Sequence, residues 1–113
     1  MEESILTSIK KLLNISNDDE SFDMDIIILI NGVLDVLKQI GVESTFEDFR
    51  LESKDDKWED YLIDINELEI IKTYIYLKVK IIFDPPANST LMESYKETIK
   101  EYEWRLNSKM DYE

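Results

Sequence analysis

The sequence contains no cysteine and no histidine, and it has only two glycines and two prolines among its 113 residues. Without cysteine the chain forms neither a disulfide scaffold nor a thiolate metal site, and without histidine it lacks the commonest general base and metal ligand. Gly32 and Gly41 are too few for a glycine-rich phosphate loop, and neither a nucleophile elbow nor a metal-ligand spacing is present. We therefore expect a protein that is not an enzyme, with no catalytic residue, metal or cofactor.

Long apolar runs are also absent. The longest unbroken one, Ile26 to Ile30, is far shorter than the roughly 18–20 residues of a membrane span. The first residues carry Glu2 and Glu3 instead of a basic region, so they do not resemble a secretory signal. These features predict a soluble, intracellular protein with no membrane partner.

Carboxylates are abundant, but their spacing argues against a site. One stretch begins like an EF-hand calcium loop, with oxygen-bearing side chains at Asn17, Asp19, Ser21 and Asp23. The pattern then fails, because Phe22 stands where the sixth position needs glycine and Ile28 where the twelfth needs glutamate. Adjacent pairs such as Asp18 and Asp19 are typical of solvated charges, whereas acid–base catalysis needs two carboxylates in different environments.

The charge balance is strongly acidic. The chain has 26 acidic and 13 basic residues and a net charge of −13. Such a surface repels phosphate, so binding to nucleic acid or to anionic membranes is disfavoured. Three interpretations remain: simple solubility, a wall that DNA passes without sticking, or a mimic of DNA.

The hydrophobic content of 43% predicts a folded chain, and the length predicts one helical domain over residues 1–113. We expect an all-α bundle of about four helices with one long irregular connection. Apolar residues at helical spacing mark three helices, at Ser4–Leu13, Met24–Ile40 and Leu91–Leu106. Asp23 is a candidate cap of the second helix, and Gly41 ends it. Residues 107–113 are expected to form a flexible tail when the chain is isolated.

Segment 66–83 is ambiguous. Ile75, Leu77, Val79 and Ile81 alternate with polar residues as in a strand, but eighteen residues without glycine or proline are typical of a helix. We favour the helix. Between Val42 and Ile65 the pattern weakens, with at most a helical turn at Trp58–Leu62. The aromatic and apolar side chains that we expect to pin this connection to the core are Phe46, Phe49, Leu51, Trp58 and Tyr61.

The apolar faces of the second and third helices are too wide for a helix covered on one side by a 113-residue monomer. Neighbouring subunits are therefore expected to cover part of them. The predicted subunit or partner contacts are Ile27, Leu34, Tyr74, Ile75, Tyr76, Leu77, Trp104 and Met110.

Both prolines stand together in FDPPANST, between the third and fourth helices. Pro85 and Pro86 end the preceding helix near Phe83 and make the chain leave it extended. Thr90 and Glu93 have the spacing of a capping box, which predicts that the fourth helix begins immediately afterwards. The four residues Pro85, Pro86, Thr90 and Glu93 are thus predicted to form a rigid structural corner.

Several strings resemble the head-tail connector family of tailed phages and prophages, also called head-completion or adaptor proteins. In the C-terminal half, TYIYLKVKIIFDPP is followed by a polar turn and a helix ending EYEWRLN; in the N-terminal half, ILTSIKKLL precedes SFD, and DIIILIN leads into QIGV. The resemblance covers Ile5 to about Asn107 and is weakest over Glu43–Asp64, apart from DKWEDYL.

The resemblance implies an all-helical structural subunit that assembles into a ring, commonly dodecameric, below the portal. Such a ring would extend the DNA channel without binding DNA specifically, and it would offer a platform for a tail or stopper protein. It would lie at the head-tail interface of the virion and in the host cytoplasm during assembly. The alternative is a small acidic inhibitor that mimics DNA as a monomer or dimer, with carboxylates aligned along one face.

Overall fold

The computed structural model describes residues 4–40, 51, 54–58 and 65–111, with side chains between 68 and 107 in the last range. The helices in these ranges are α1 (Ile5–Leu12), α2 (Asp23–Ile40), α3 (Ile65–Phe83) and α4 (Ser89–Asp111). Apart from one isolated bridge between Ser4 and Lys57, the described ranges contain no β-structure. The all-α prediction is confirmed, including the helix over the ambiguous segment 66–83.

Helix α1 begins at a serine cap. The Ser4 side chain accepts a hydrogen bond from the backbone N–H of Thr7 at 3.1 Å, which satisfies one free donor of the first turn. The helix ends where Leu13 donates to the carbonyl of Ile9, and Asn14 then takes a φ of 63°. Asparagine tolerates this left-handed conformation better than most residues, so the chain turns here into the loop before α2.

Helix α2 buries Ile26, Ile30, Val33 and Leu37, which lie at helical spacing, and it ends at Ile40 as expected. The residue after it, Gly41, lies outside the described residues. The expected cap is wrong, because Asp23 is the first residue of the helix and its carboxylate binds the ammonium of Lys10 at 2.7 Å. An acidic side chain is still favourable there, since the first turn carries the positive end of the helix dipole.

Helix α3 is the centre of the bundle and packs on both α2 and α4. Its buried side chains are Ile71, Tyr74, Ile75, Leu77 and Val79. Between residues 68 and 83, only Glu69 and Ile82 are exposed, and the other side chains are buried or half-buried. Two helices of the same chain thus cover most of α3. The expectation that neighbouring subunits cover part of it stays a prediction.

The corner between α3 and α4 stands where the prolines predict it. Helix α3 ends at Phe83, and the chain passes Pro85 and Pro86 before α4 begins at Ser89. The predicted capping box is wrong: Asn88 is the cap, and its side-chain oxygen accepts from the backbone N–H of Leu91 at 3.0 Å. Thr90 and Glu93 lie within the helix that Asn88 caps.

Helix α4 is longer than its apolar pattern indicates. It continues past Leu106, which is buried, to Asp111. The five extra residues have no apolar stripe at helical spacing, so the sequence pattern did not predict them as part of the helix. Residues 112 and 113 lie outside the described ranges, and the flexible tail of the isolated chain stays a prediction.

The irregular connection is pinned to the core as predicted where it is described. Leu51 and Trp58 are buried, and the Trp58 indole N–H donates to the Ser8 hydroxyl at 3.0 Å. Asn31 makes hydrogen bonds to both backbone groups of Leu51. The predicted anchors Phe46, Phe49 and Tyr61, and residues 59–62 of the predicted turn, lie outside the described residues.

Candidate interaction surface

Half of the predicted contact residues lie inside the subunit. Leu34, Tyr74, Ile75 and Leu77 are buried in a core to which all four helices contribute. Ile27 and Tyr76 are half-buried and pack against that core. The side chain of Met110 lies outside the described residues. Trp104, by contrast, projects from α4 with 69% of its surface exposed.

A tryptophan this exposed is unusual, because its large indole gains free energy when it leaves water. Its neighbours on the outer side of α4 include Lys100 and the Glu101–Arg105 ion pair, whose atoms are 2.8 Å apart. Glu97 is exposed one turn before Lys100. Trp104 is therefore an apolar side chain set among charges of both signs, as at the centre of a protein contact.

A second exposed apolar surface is a strip along α2, which the sequence pattern did not identify as a separate surface. Met24 and Ile28 are 70% and 60% exposed, and Gly32 follows at the same four-residue spacing. Among the described residues, a Cβ atom at Gly32 would meet nothing within 4 Å beyond the adjacent helix backbone. The spacing was visible in the sequence, but the wide apolar face did not reveal which part the rest of the chain leaves uncovered.

Further apolar side chains are exposed at the end of the bundle that carries the proline corner. Phe22, before α2, makes an edge-to-face contact with Phe83 at the end of α3, with ring centroids 5.3 Å apart. Ile82 and Leu91, on either side of the corner, are exposed. This end is another apolar surface on the described part of the chain.

The stretch that begins like a calcium loop surrounds a cation of the protein itself. The buried Lys10 ammonium donates to the Asn17 carbonyl at 3.3 Å, to the Asp19 carbonyl at 2.7 Å and to the Asp23 carboxylate at 2.7 Å. The Ser21 hydroxyl and backbone N–H, followed by the Lys10 charge, hold the pKa of the Asp19 carboxyl below its usual value. The oxygen-rich pattern therefore serves to bind a lysine side chain.

Beside this loop lies a polar cleft of about 220 Å³. Its lining includes Thr7, Asn17, Glu20, Lys54 and Asp55, and the charged atoms of Glu20 and Lys54 are 3.6 Å apart. In the described part of the chain, no group of three or more acidic side chains is placed to hold a metal ion. None of its helices has the length and apolar content needed to cross a membrane.

Two tyrosines of α3 connect this helix to α4. The Tyr74 hydroxyl donates to the Glu103 carboxylate at 2.7 Å, and burial together with this bond raises the pKa of Tyr74 well above its usual value. Burial also raises the pKa of Tyr76, with further contributions from Tyr95 and Asp84. Both groups are neutral near pH 7, so they tie the helices together through hydrogen bonds and packing.

The charge is divided unevenly between helices and connections. The four helices contain ten acidic and ten basic residues, so the whole excess of −13 lies in the connections and termini. The exposed residues of the α1–α2 loop include Asp18, Asp19 and Glu20. Helix α2, which carries Met24 and Ile28, has a net charge of −2, and α4, which carries Trp104, has a net charge of −1, so most of the acidity belongs to other parts of the chain.

Comparison with known proteins gives one match. No curated protein and no solved structure is detectably similar to this chain. The family model described as phage connector protein matches residues 5–113. This range includes all four helices, the double-proline corner, the strip on α2 and Trp104. The chain belongs to the family of phage connector proteins.

Proposed function

We propose that this chain is a head-tail connector subunit that forms a ring below the portal, extends the DNA channel and provides a platform for tail attachment. Membership in the connector family supports a structural, non-catalytic role in the virion. The observation that carries the finer proposal is the exposed Trp104, on a subunit that already encloses a complete core of its own. Such a side chain is better explained by a partner surface than by the folding of the monomer.

The partners in this proposal are further copies of the chain, the portal and a tail or stopper protein. The protein acts at the head-tail interface of the virion and is present in the host cytoplasm during assembly, with no membrane partner. Among the predicted contacts, Trp104, Ile27 and Tyr76 retain exposed surface for these partners, and Met110 stays a prediction. Leu34, Tyr74, Ile75 and Leu77 contribute instead to the stability of each subunit.

The position of the acidic residues supports a channel lining. The excess charge lies in connections such as the α1–α2 loop, so these segments could face DNA while neutral helices form contacts between subunits. Carboxylates repel phosphate within a Debye length of about 8–10 Å at physiological ionic strength. DNA would then slide through the channel without binding specifically.

The same distribution disfavours the alternative, a monomeric or dimeric DNA mimic. A mimic needs carboxylates aligned along one face, with few cations among them. On the exposed side of α4, the acidic residues Glu93, Glu97 and Glu101 are interspersed with Lys96 and Lys100. We therefore propose the connector function, and the test below includes a result that would favour the DNA mimic.

The test is the oligomeric state, measured by size-exclusion chromatography with light scattering and by negative-stain imaging, with and without the portal of the same phage. We expect rings, and we expect Trp104→Ala to weaken ring formation while the circular dichroism spectrum stays unchanged. Lys96→Ala, an exposed substitution on the same helix, is the matched control. A wild-type protein that remains a monomer or dimer even with portal present would contradict the connector and favour the mimic.

The proline corner can be tested in the same assay. We propose that Pro85 and Pro86 set the angle at which α4 is presented to neighbouring subunits, since both residues restrict the backbone between α3 and α4. The double variant Pro85→Ala/Pro86→Ala should fold but assemble poorly. Normal assembly of this variant would show that the corner only connects the helices.

A further inference from the structure

We infer that the α2 strip formed by Met24, Ile28 and Gly32 receives Trp104 of a second copy of this chain. In this arrangement α2 of one subunit packs on α4 of the next. The inference rests on the proposed ring and identifies the two surfaces that meet in it.

The strip on α2 is shaped to receive a large side chain. Met24 and Ile28 provide exposed apolar surface, and Gly32 extends the same helix face without a side chain. Glycine is less favourable than alanine inside a helix, and among the described residues nothing beyond the adjacent helix backbone lies within 4 Å of the Cβ position at Gly32. The described part of the subunit therefore gives no reason for glycine here, whereas close approach of a neighbouring side chain does.

Trp104 provides the matching projection. Its indole is exposed on α4, and tryptophan is among the residues that contribute most to protein contacts when buried. An indole needs a partner surface that is apolar and has space for a wide ring. The face of α2 at Ile28 and Gly32 has both properties.

Charge identifies the occupant as a second copy. Two molecules that each carry −13 repel one another unless their contact avoids the acidic segments, and the two helices of this contact carry net charges of only −2 (α2) and −1 (α4). The exposed Asp25 and Asp35 flank the strip on α2. Around Trp104 on α4 lie the cations Lys100 and Arg105, of which Arg105 is paired with Glu101. The proposed contact thus brings cations of α4 to the carboxylates of α2.

The contact joins different surfaces of the two copies, so it is heterologous. In the proposed ring, the α2 strip and Trp104 of one subunit contact two different neighbours, because a mutual exchange of both contacts between two copies would close a pair and stop. Repeating a heterologous contact produces a ring when the rotation closes. A contact of α2 with α2 would instead pair two subunits and stop.

The absence of cysteine makes this arrangement directly testable by disulfide trapping. The variant Asp25→Cys/Lys100→Cys keeps Ile28, Gly32 and Trp104; oxidised under conditions where the wild type forms rings, it should give a ladder of cross-linked oligomers on a non-reducing gel. The matched control is Leu12→Cys/Lys100→Cys, because Leu12 is also exposed but lies on α1. The control should give little or no ladder.

Mixing the single variants establishes which surfaces meet. Asp25→Cys carrying a size tag, mixed with untagged Lys100→Cys, should yield mainly the mixed dimer. A predominance of Asp25→Cys homodimers would overturn the inference, because it would place α2 against α2.

The failure of this inference can be distinguished from failure of the ring. Rings without a ladder would mean that other surfaces join the subunits, so the inference would be wrong while the connector role stood. A protein that never assembles, even with portal, would contradict both.

A second variant tests the α2 strip without introducing a cysteine. Gly32→Gln places a flexible side chain in the open space and should leave the circular dichroism spectrum and thermal midpoint unchanged or improved. It should raise the concentration needed for half-assembly by about tenfold, the loss typical of one disturbed central contact. Unchanged assembly of Gly32→Gln would overturn the inference.

Discussion

Lys10 is a buried charged residue whose ammonium group donates all three of its protons in hydrogen bonds. Two go to backbone carbonyls of the α1–α2 loop, at Asn17 and Asp19, and one to the Asp23 carboxylate. This arrangement satisfies a buried lysine because each proton of the ammonium has an oxygen partner. It also fixes the loop to both helices, so one side chain sets the position of α1 relative to the start of α2.

At the residue scale, we predict that Lys10→Met destabilises the subunit by about 2–3 kcal/mol. The substitution keeps much of the apolar stem but leaves two carbonyls and the Asp23 carboxylate without their partner. Urea unfolding followed by circular dichroism measures the change. Lys96→Met, an exposed lysine on α4, is the control and should change the free energy of unfolding by less than about 0.5 kcal/mol. Equal stability of the two variants would show that the Lys10 network is unimportant.

At the scale of elements, the central position of α3 explains several properties of the fold. Its antiparallel neighbour α4 is fixed at two places, by the corner at Pro85–Pro86 and by the hydrogen bond between Tyr74 and Glu103. Helix α2 covers its other side, with the Phe22–Phe83 contact at the corner end. Strand-like alternation in α3 therefore reflects a helix that is enclosed on most sides, where apolar residues are acceptable at nearly every position.

The start of α4 gives a prediction at this scale. Asn88→Ala removes the acceptor for the Leu91 N–H and should lower the free energy of unfolding by about 1 kcal/mol. Thr90→Val is the control, because Thr90 lies inside the first turn and should contribute little to capping. Thermal unfolding measures both. A larger loss for Thr90→Val than for Asn88→Ala would restore the capping box that the sequence predicts.

The connection between α3 and α4 gives a pH-dependent prediction. The pKa of Tyr74 is raised in the folded protein above its usual value of 10.0, so its contribution to stability is complete below about pH 10 and is lost as pH rises further. Tyr74→Phe should cost about 1 kcal/mol near pH 7, because the bond to Glu103 is lost. Above pH 10 the wild type should lose stability faster than Tyr74→Phe.

Urea unfolding between neutral pH and pH 11 tests this prediction. Tyr102→Phe, on the neighbouring helix, keeps Tyr74 and should therefore keep the alkaline loss. Parallel pH profiles for wild type and Tyr74→Phe would contradict the role assigned to Tyr74.

At the scale of the whole molecule, the important feature is the separation of charge from helical surface. Ten acidic and ten basic residues balance in the helices, and the connections and termini contain the remaining 16 acidic and three basic residues. A subunit built in this way can approach another copy through its helices while its acidic segments face elsewhere. Assembly and repulsion of DNA then use different parts of the same small chain.

This separation predicts that ring assembly depends weakly on salt. Raising NaCl from about 0.05 M to about 0.5 M shortens the Debye length but should change the concentration of half-assembly by less than about threefold. Light scattering across a dilution series measures this value. Strong promotion of assembly by salt would show that acidic segments oppose each other across the interface, against the arrangement proposed here.

Much of the fold was predictable because short-range patterns determine it. Helical spacing identified three helices, the length of 66–83 without glycine or proline favoured the fourth, and the double proline located the corner after Phe83. The cap at Asn88 was not predicted, because Thr90 and Glu93 match a known capping pattern equally well in sequence. The burial of Lys10 was also missed, since a lysine at the end of an amphipathic helix is usually exposed.

The sequence by itself determined an acidic, all-helical chain without cysteine or histidine, and its strings already resembled those of phage connectors. Only the tertiary structure decided that Ile75 and Leu77 belong to the subunit's own core, whereas Met24, Ile28 and Trp104 lie at the surface. The physical reason is that periodicity identifies an apolar face without identifying what covers it. The part of an apolar face that is covered depends on which helices pack together, and contacts between residues far apart in the chain determine that packing.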